Sequence, residues 1–144
     1  MNMGINCSRA LRALLAALLL LAVAGVGAVT ITRSFSASWF DAARSGHGFN
    51  FEVVDNGAGK TVVGYWYTFD NTGAPLWLVG TGPVVGDHAV LQTVSVSGGR
   101  FGNSFDPAQI QQRAWGTLEV RFVDCNNGSV SWAPTVPGFT AGSM

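Results

Sequence analysis

Few side chains here are reactive, and they crowd together in one place. At 41–48, Asp41 and Arg44 lead into Ser45-Gly46-His47-Gly48. An imidazole between two glycines is sterically open, and with a carboxylate to orient it, it has the parts of a general base. A small hydrolase built this way would use His47 with Asp41 or Glu52. The plainer reading is a glycine-permitted loop with His47 as a polar member, because no nucleophile elbow surrounds Ser45 and adjacent side chains in a strand point apart. The other reactive sets are weaker. A metal would have to draw His47, His88 and Cys125 from three separate segments, with no His-x-His or Cys-x-x-Cys spacing, so no metal and no cofactor is expected. Glu52, Glu119 and Asp124 would have to meet in space to hydrolyse a sugar, and no spacing points to it. The glycine-rich loops lack the Gly-Lys-Ser/Thr ending that cradles phosphate.

The tryptophans carry more information. Trp39, Trp66, Trp77, Trp115 and Trp132 make 5 in 144 residues. An indole on a sheet surface offers a large stacking face and one N–H, the chemistry that binds sugars, aromatic ligands or apolar peptides. Indoles also fill small β cores, and the expectation is that three serve that purpose. Trp66 and Trp77 are then the candidate exposed pair, with Tyr65, Tyr67 and His47 as their neighbours in a binding site.

Such residues need strands to hold them, and the chain supplies them. Thr61 to Gly82 contains two aromatic-rich runs, 61–69 and 76–81, flanking Asp70-Asn71-Thr72-Gly73, with Asp and Gly at the first and fourth positions of a type I turn. This predicts an antiparallel hairpin. Its register has two solutions: if Gly73 forms a bulge, Tyr67 faces Trp77, whereas a two-residue turn at Asn71-Thr72 places Trp66 opposite Trp77. Run 61–69 is apolar on both faces, with Val63, Tyr65, Tyr67 and Phe69 on one and Val62 and Trp66 on the other. It therefore lies between the core and either a second layer or an exposed aromatic patch.

Further strands are predicted at 48–54, 88–96, 116–123 and 129–132. In the first, Phe49, Phe51 and Val53 alternate with Asn50 and Glu52; in 116–123, Leu118, Val120 and Phe122 alternate with Thr117, Glu119 and Arg121. The 97–115 connection holds Asp106-Pro107, a cap and first helical residue for a short helical turn near 107–112. The fold class is all-β, an antiparallel meander closed as a small sandwich or barrel, with the single domain at 38–132 and a loosely docked tail at 133–144. A domain of this size buries roughly 65% of its unfolded surface and folds without a metal or disulfide.

Charge narrows the partners. The net charge is zero, and because Arg9 and Arg12 precede the apolar run, the remainder has six basic residues against eight acidic ones, scattered rather than clustered. Nucleic acid is not an expected partner. The N-terminus reads as a signal peptide over 1–28: two arginines, the uncharged run Ala13 to Ala28, and Val26-Gly27-Ala28 at the cleavage positions. The alternative is an uncleaved inner-membrane anchor over 13–31, the length of a minimal span of about 17 residues. Export predicts a secreted or periplasmic protein. Cys7 would leave with the leader, so no intrachain disulfide is expected, and Cys125 is read as a buried inert thiol or an intermolecular partner.

The order Trp39-Phe40, Ser45-Gly46-His47-Gly48-Phe49, Tyr65-Trp66-Tyr67-Thr68-Phe69-Asp70, Gly73-Ala74-Pro75-Leu76-Trp77 resembles a module of exported proteobacterial proteins: tryptophan-aromatic, Gly-x-Gly-aromatic, an aromatic strand, Gly-x-Pro-x-Trp. The resemblance spans about 39–82, and Trp115-Gly116-Thr117-Leu118 through Pro137-Gly138-Phe139 is similar to the ending of its stand-alone members. It implies export and an all-β fold, and no activity. The functional expectation is a non-catalytic binding module whose aromatic surface meets a glycan, a peptide or another envelope protein. Three alternatives stand beside it: a ligand-binding barrel, similar in its opening strands to avidins, with Tyr65, Tyr67 and Asn50 around a void; the His47 hydrolase; and a membrane-tethered envelope component.

Overall fold

Period-two burial shapes the body of the protein. Phe49, Phe51 and Val53 are buried, as are Leu118, Val120 and Phe122, while the residues between them face outward. The computed structural model describes residues 29–144, which form one sheet of eight strands: β1 (Ala37–Trp39), β2 (Gly48–Asp55), β3 (Lys60–Phe69), β4 (Pro75–Val85), β5 (His88–Ser97), β6 (Gln111–Phe122), β7 (Gly128–Pro134) and β8 (Gly142–Ser143). Each strand pairs antiparallel with its neighbours in sequence, so the sheet is an uninterrupted meander with β1 and β8 at its edges.

The sheet curls into a half-barrel around its apolar face. Phe35, Trp39 and Phe51 from one side reach Phe122 on β6, with ring centroids at 4.8, 5.2 and 5.9 Å respectively. Helix is confined to three-residue 3-10 turns. The one anticipated at 107–112 forms at Pro107–Gln109, capped by the Asp106 carboxylate, which accepts from the Ala108 N–H at 2.9 Å. It stops there because Gln111 already pairs with Ser97 on β5.

Several boundaries differ from the sequence expectations, each for a physical reason. The domain starts before residue 38: Ile31 and Phe35 are buried and close one end of the core. β4 runs straight through Gly82-Pro83, which reads locally as a turn, because Gly82 lets the backbone of Val90 pass where a side chain would stand. β6 begins at Gln111, since a bulge at Trp115, where the register with β5 shifts between Thr93 and Val94, turns that indole into the core. The tail is not loose. Residues 142–143 add strand β8 to β7, Met144 exchanges two backbone hydrogen bonds with Val130 at 2.8 and 2.9 Å, and Phe139 packs edge-on against Trp115 at 5.6 Å. Cys125 is exposed in the turn between β6 and β7, where Asp124 organises the backbone, so the buried-thiol expectation is wrong.

Hairpin connections alternate between two ends of the sheet. Connections 40–47, 70–74 and 98–110 lie at one end; 56–59, 86–87 and 123–127 lie at the other. The chain enters at the second end, where Arg33 donates to the Asp55 carbonyl at 3.0 Å and Thr30 and Ile31 lie against 57–60 and Gly86. The predicted signal peptide or anchor lies outside the described residues, apart from the last three positions of the 13–31 span. Among the described residues no helix is long and apolar enough to cross a membrane.

Candidate functional site

The site begins with a turn. The Asp70 carboxylate accepts from the Thr72 N–H at 2.8 Å, the Thr72 hydroxyl at 2.7 Å and the Ala74 N–H at 2.9 Å, and the Gly73 N–H donates to the Asp70 carbonyl at 3.0 Å. Gly73 takes φ +84°, a conformation that glycine adopts without penalty. This is the bulged solution, so Tyr67 lies opposite Trp77 and Trp66 opposite Leu78.

That register separates the two tryptophans of the candidate pair. Trp66 is 5% exposed and belongs to the core, stacked on Phe49 at 5.4 Å, tilted on Trp132 at 5.1 Å and edge-on to Trp115 at 5.8 Å. It is not a surface contact. The cause is parity: Val62, Gly64, Trp66 and Thr68 turn inward, leaving Tyr65, Tyr67 and Phe69 on the outside. Tyr67 is 52% exposed and Trp77 45%. Trp115 is buried too, while Trp39 and Trp132 are half-buried and donate their N–H groups to the Phe35 and Thr140 carbonyls. Four of the five indoles thus serve packing.

On the outer face, Tyr65, Tyr67, Phe69, Pro75 and Trp77 line an open groove of about 640 Å³, which at the hairpin end also takes in Gly46 and the inward-facing Thr68 and Leu76. Its end is buttressed by the loop holding His47. There the His47 Nδ1 and the Thr68 hydroxyl are hydrogen-bonded at 2.8 Å, the imidazole stands edge-on to Phe69 at 5.6 Å, and a Cβ on Gly46 would approach the Phe69 ring to 3.1 Å. Thr68, buried on the concave face, is what draws His47 in. Phe69, Pro75 and Leu76 escaped the sequence reading as groove walls, although the Gly73 bulge that places them was one of its two solutions.

No acid–base constellation forms around His47. Among the described residues no carboxylate lies within hydrogen-bond reach of its imidazole. The Asp41 carboxylate accepts from the Ala43 N–H at 2.9 Å and sits 3.7 Å from the Arg44 guanidinium, which itself donates to the Ser143 carbonyl. The three separate carboxylates do not converge: Glu119 pairs with Arg121 at 3.1 Å, Asp124 holds Asn126 and Asn127, and Glu52 is exposed on β2. Among the described residues no cluster of three or more His, Cys, Asp or Glu side chains could hold a metal. The void imagined between Tyr65, Tyr67 and Asn50 is not inside: the tyrosines face outward and Asn50 donates to the Ser38 hydroxyl at 3.3 Å. Aromatic rings fill the interior, and a cavity of about 340 Å³ lies at the seam, lined by Trp39, Phe49, Phe51, Phe122, Val130 and Met144 among others.

Charge gathers away from the groove. At the far end of β5, the Asp87 carboxylate accepts from His88 at 3.2 Å and from Arg121 at 2.6 Å, and these bonds, His88 first, hold its carboxyl below the usual range. Asp70 is also held low, chiefly by the Thr72 hydroxyl and then by the Ala74 and Thr72 N–H groups. Folding therefore favours the ionised turn, a contribution fully present above the ordinary carboxylate value and lost progressively as pH falls from there through the lower value of the folded state. Melting temperature followed between about pH 5 and pH 2 should drop less steeply in Asp70→Ala than in the parent, and the variant should melt lower at neutral pH. Identical acid limbs would show that this carboxylate does not support the hairpin.

Comparison with protein-family models, with curated proteins and with solved structures gave no match.

Proposed function

We propose that this chain is an exported, non-catalytic binding module that meets its partner through the outer face of β3 and β4. One observation carries the reading: Tyr67 and Trp77, both about half exposed, are paired across a hairpin whose turn is fixed by hydrogen bonds among Asp70, Thr72, Gly73 and Ala74, and no other element among the described residues covers them. A monomeric body places large aromatic surface outside only where something binds or where it must be tolerated. Here it is preorganised, because both rings stand on regular strands rather than on a loop.

Export rests on the arginine-then-apolar leader and on the resemblance to the exported module. The described chain starts, at Val29 to Ile31, at the end of the sheet opposite the aromatic groove. Mass analysis of the mature protein should find an N-terminus near Val29; an intact Met1 in envelope fractions would make the protein a tethered component instead.

The binding reading is tested by tryptophan emission on the purified chain, titrated with neutral oligosaccharides, peptidoglycan fragments and a set of apolar peptides. At least one probe should change the emission, and Trp77→Ala, with the fold intact, should weaken that response about tenfold or more. If every probe is silent, or the response survives Trp77→Ala undiminished, the outer face is not the contact.

A further inference from the structure

We infer that the ligand of this outer face is an uncharged polysaccharide whose flat pyranose rings stack on Trp77 and Tyr67. The inference rests on the binding reading above and narrows it to one chemistry.

The first argument is charge. Apart from the neighbouring imidazole of His47, held by Thr68, the groove has no ionisable side chain but its two tyrosines. The nearest carboxylate in sequence, Asp70, is consumed by its own turn, and Asp41 and Arg44 are paired with each other. An acidic polymer would find no cation here, and a basic peptide only Glu52, which faces outward opposite Val63, beside the groove and not in its lining. An anionic ligand would lose hydration at this surface without gaining a partner, and a cationic one would have to reach past the groove to find its own. A polyhydroxylated neutral ligand loses little.

The second argument is the backbone. A peptide laid on a sheet gains affinity by adding to a free edge, where its main chain finds unpaired N–H and C=O groups. At Tyr65 and Tyr67 β3 is paired with β2 on one side and β4 on the other, and β4 is paired with β5 from Leu78 onward; only the short end Pro75–Trp77, which opens on a proline with no N–H, lacks a β5 partner. A peptide crossing this face would leave its own amides unsatisfied or wet, whereas a sugar chain carries no main-chain amides and needs only ring faces and hydroxyl partners.

The third argument is the set of polar tips. Among the described residues, neither the Tyr65 nor the Tyr67 hydroxyl has a hydrogen-bond partner in the protein, and the Trp77 indole N–H donates to none. The half-buried indoles Trp39 and Trp132 both donate to carbonyls, so the protein satisfies these N–H groups where it can. Side chains on the face also sit in rows: Tyr65 and Tyr67 are two residues apart on β3, and Tyr67 and Trp77 lie directly across the hairpin, about 5 Å between Cβ atoms. That layout offers adjacent ring faces with donors and acceptors at their rims. A pyranose chain with equatorial linkages presents the complement, axial C–H groups on its faces and hydroxyls around its edge.

The test is calorimetric titration of the full chain with cellohexaose and chitohexaose as neutral probes, an oligouronate as a charged probe, and an apolar peptide. Parent, Trp77→Ala, Tyr67→Ala and Tyr67→Phe are compared, with circular dichroism to check the fold. A neutral hexasaccharide should bind with an affinity that added salt leaves unchanged, weakened about tenfold or more by either alanine and less by Tyr67→Phe. If only the peptide binds, and does so in a Trp77-dependent way, the glycan inference fails while the binding face stands. Tighter, salt-sensitive binding of the oligouronate also overturns it. If no probe binds, or sugar binding persists in both folded alanine variants, the glycan site and the binding face fail together.

Discussion

Gly82→Ala is expected to remove about 3 kcal/mol or more of folding stability, a large share of the roughly 5–15 kcal/mol that holds a domain of this size together. A Cβ at Gly82 would collide with the Val90 carbonyl group, its carbon only 2.6 Å away, and with the Leu91 Cα at 3.1 Å. These are backbone atoms of the paired strand, so no rotamer change relieves the contact; β4 and β5 must part. Gly82 does not act alone. It lies opposite Val62 while Gly64 lies opposite Gly80, so three buried glycines line the concave side of β3 and β4. A Cβ at Gly64 would meet Leu91 Cδ1 at 2.7 Å, and one at Gly80 would meet Thr93 Cγ2 at 2.6 Å. The missing side chains let the sheet bend tightly enough for β5 to fold over it. Urea unfolding should show the loss as a much lower midpoint. Gly59→Ala is the control, because a Cβ there has nothing within 4 Å and its backbone is not left-handed, and its midpoint should stay within about 0.5–1 kcal/mol of the parent. Equal midpoints for the two variants would disprove the glycine-lined bend.

The same glycines show where the fold was legible in the sequence and where it was not. Alternation in 48–54 and 116–123 gave the correct faces because those strands bury one side against the core and wet the other. Gly82-Pro83 reads locally as a break, yet the strand continues, because close passage of Val90 needs a glycine and the ladder tolerates the missing proline donor there. Trp115 breaks the alternation of its strand, and only the bulge opposite Thr93 and Val94 explains why it turns inward; a bulge is a property of two strands and cannot be read from one. The tail reads as loose since Pro137, Gly138 and Gly142 interrupt any period, and its anchors are long-range: Phe139 against Trp115 and Met144 against Val130. Tyr67 and Trp77 were legible as candidates, but their partnership hung on the register at Gly73. Trp66 was misassigned as a surface candidate because a strand apolar on both faces carries no signal of which face is inside.

Trp66→Ala is the second large effect, and it separates folding from binding. The indole is enclosed by Phe49, Trp115 and Trp132, and truncating it leaves a cavity where three aromatic contacts met. The expected cost is about 3–5 kcal/mol, the range for a buried large aromatic reduced to alanine. Trp66→Phe should cost less, for two reasons. It retains much of the ring that stacks on Phe49, and it deletes a buried indole N–H that has no acceptor among the described residues. Trp77→Ala, on the wet face, should leave the unfolding midpoint within about 1 kcal/mol of the parent. The two alanines therefore have opposite signatures: one lowers the urea midpoint sharply, the other spares it and removes the ligand response. A Trp66→Ala protein that unfolds at the parent midpoint would mean that this indole is not part of the packed interior. Its inward parity on β3 would then be wrong, and with it the assignment of Tyr65 and Tyr67 to the opposite, ligand-facing side.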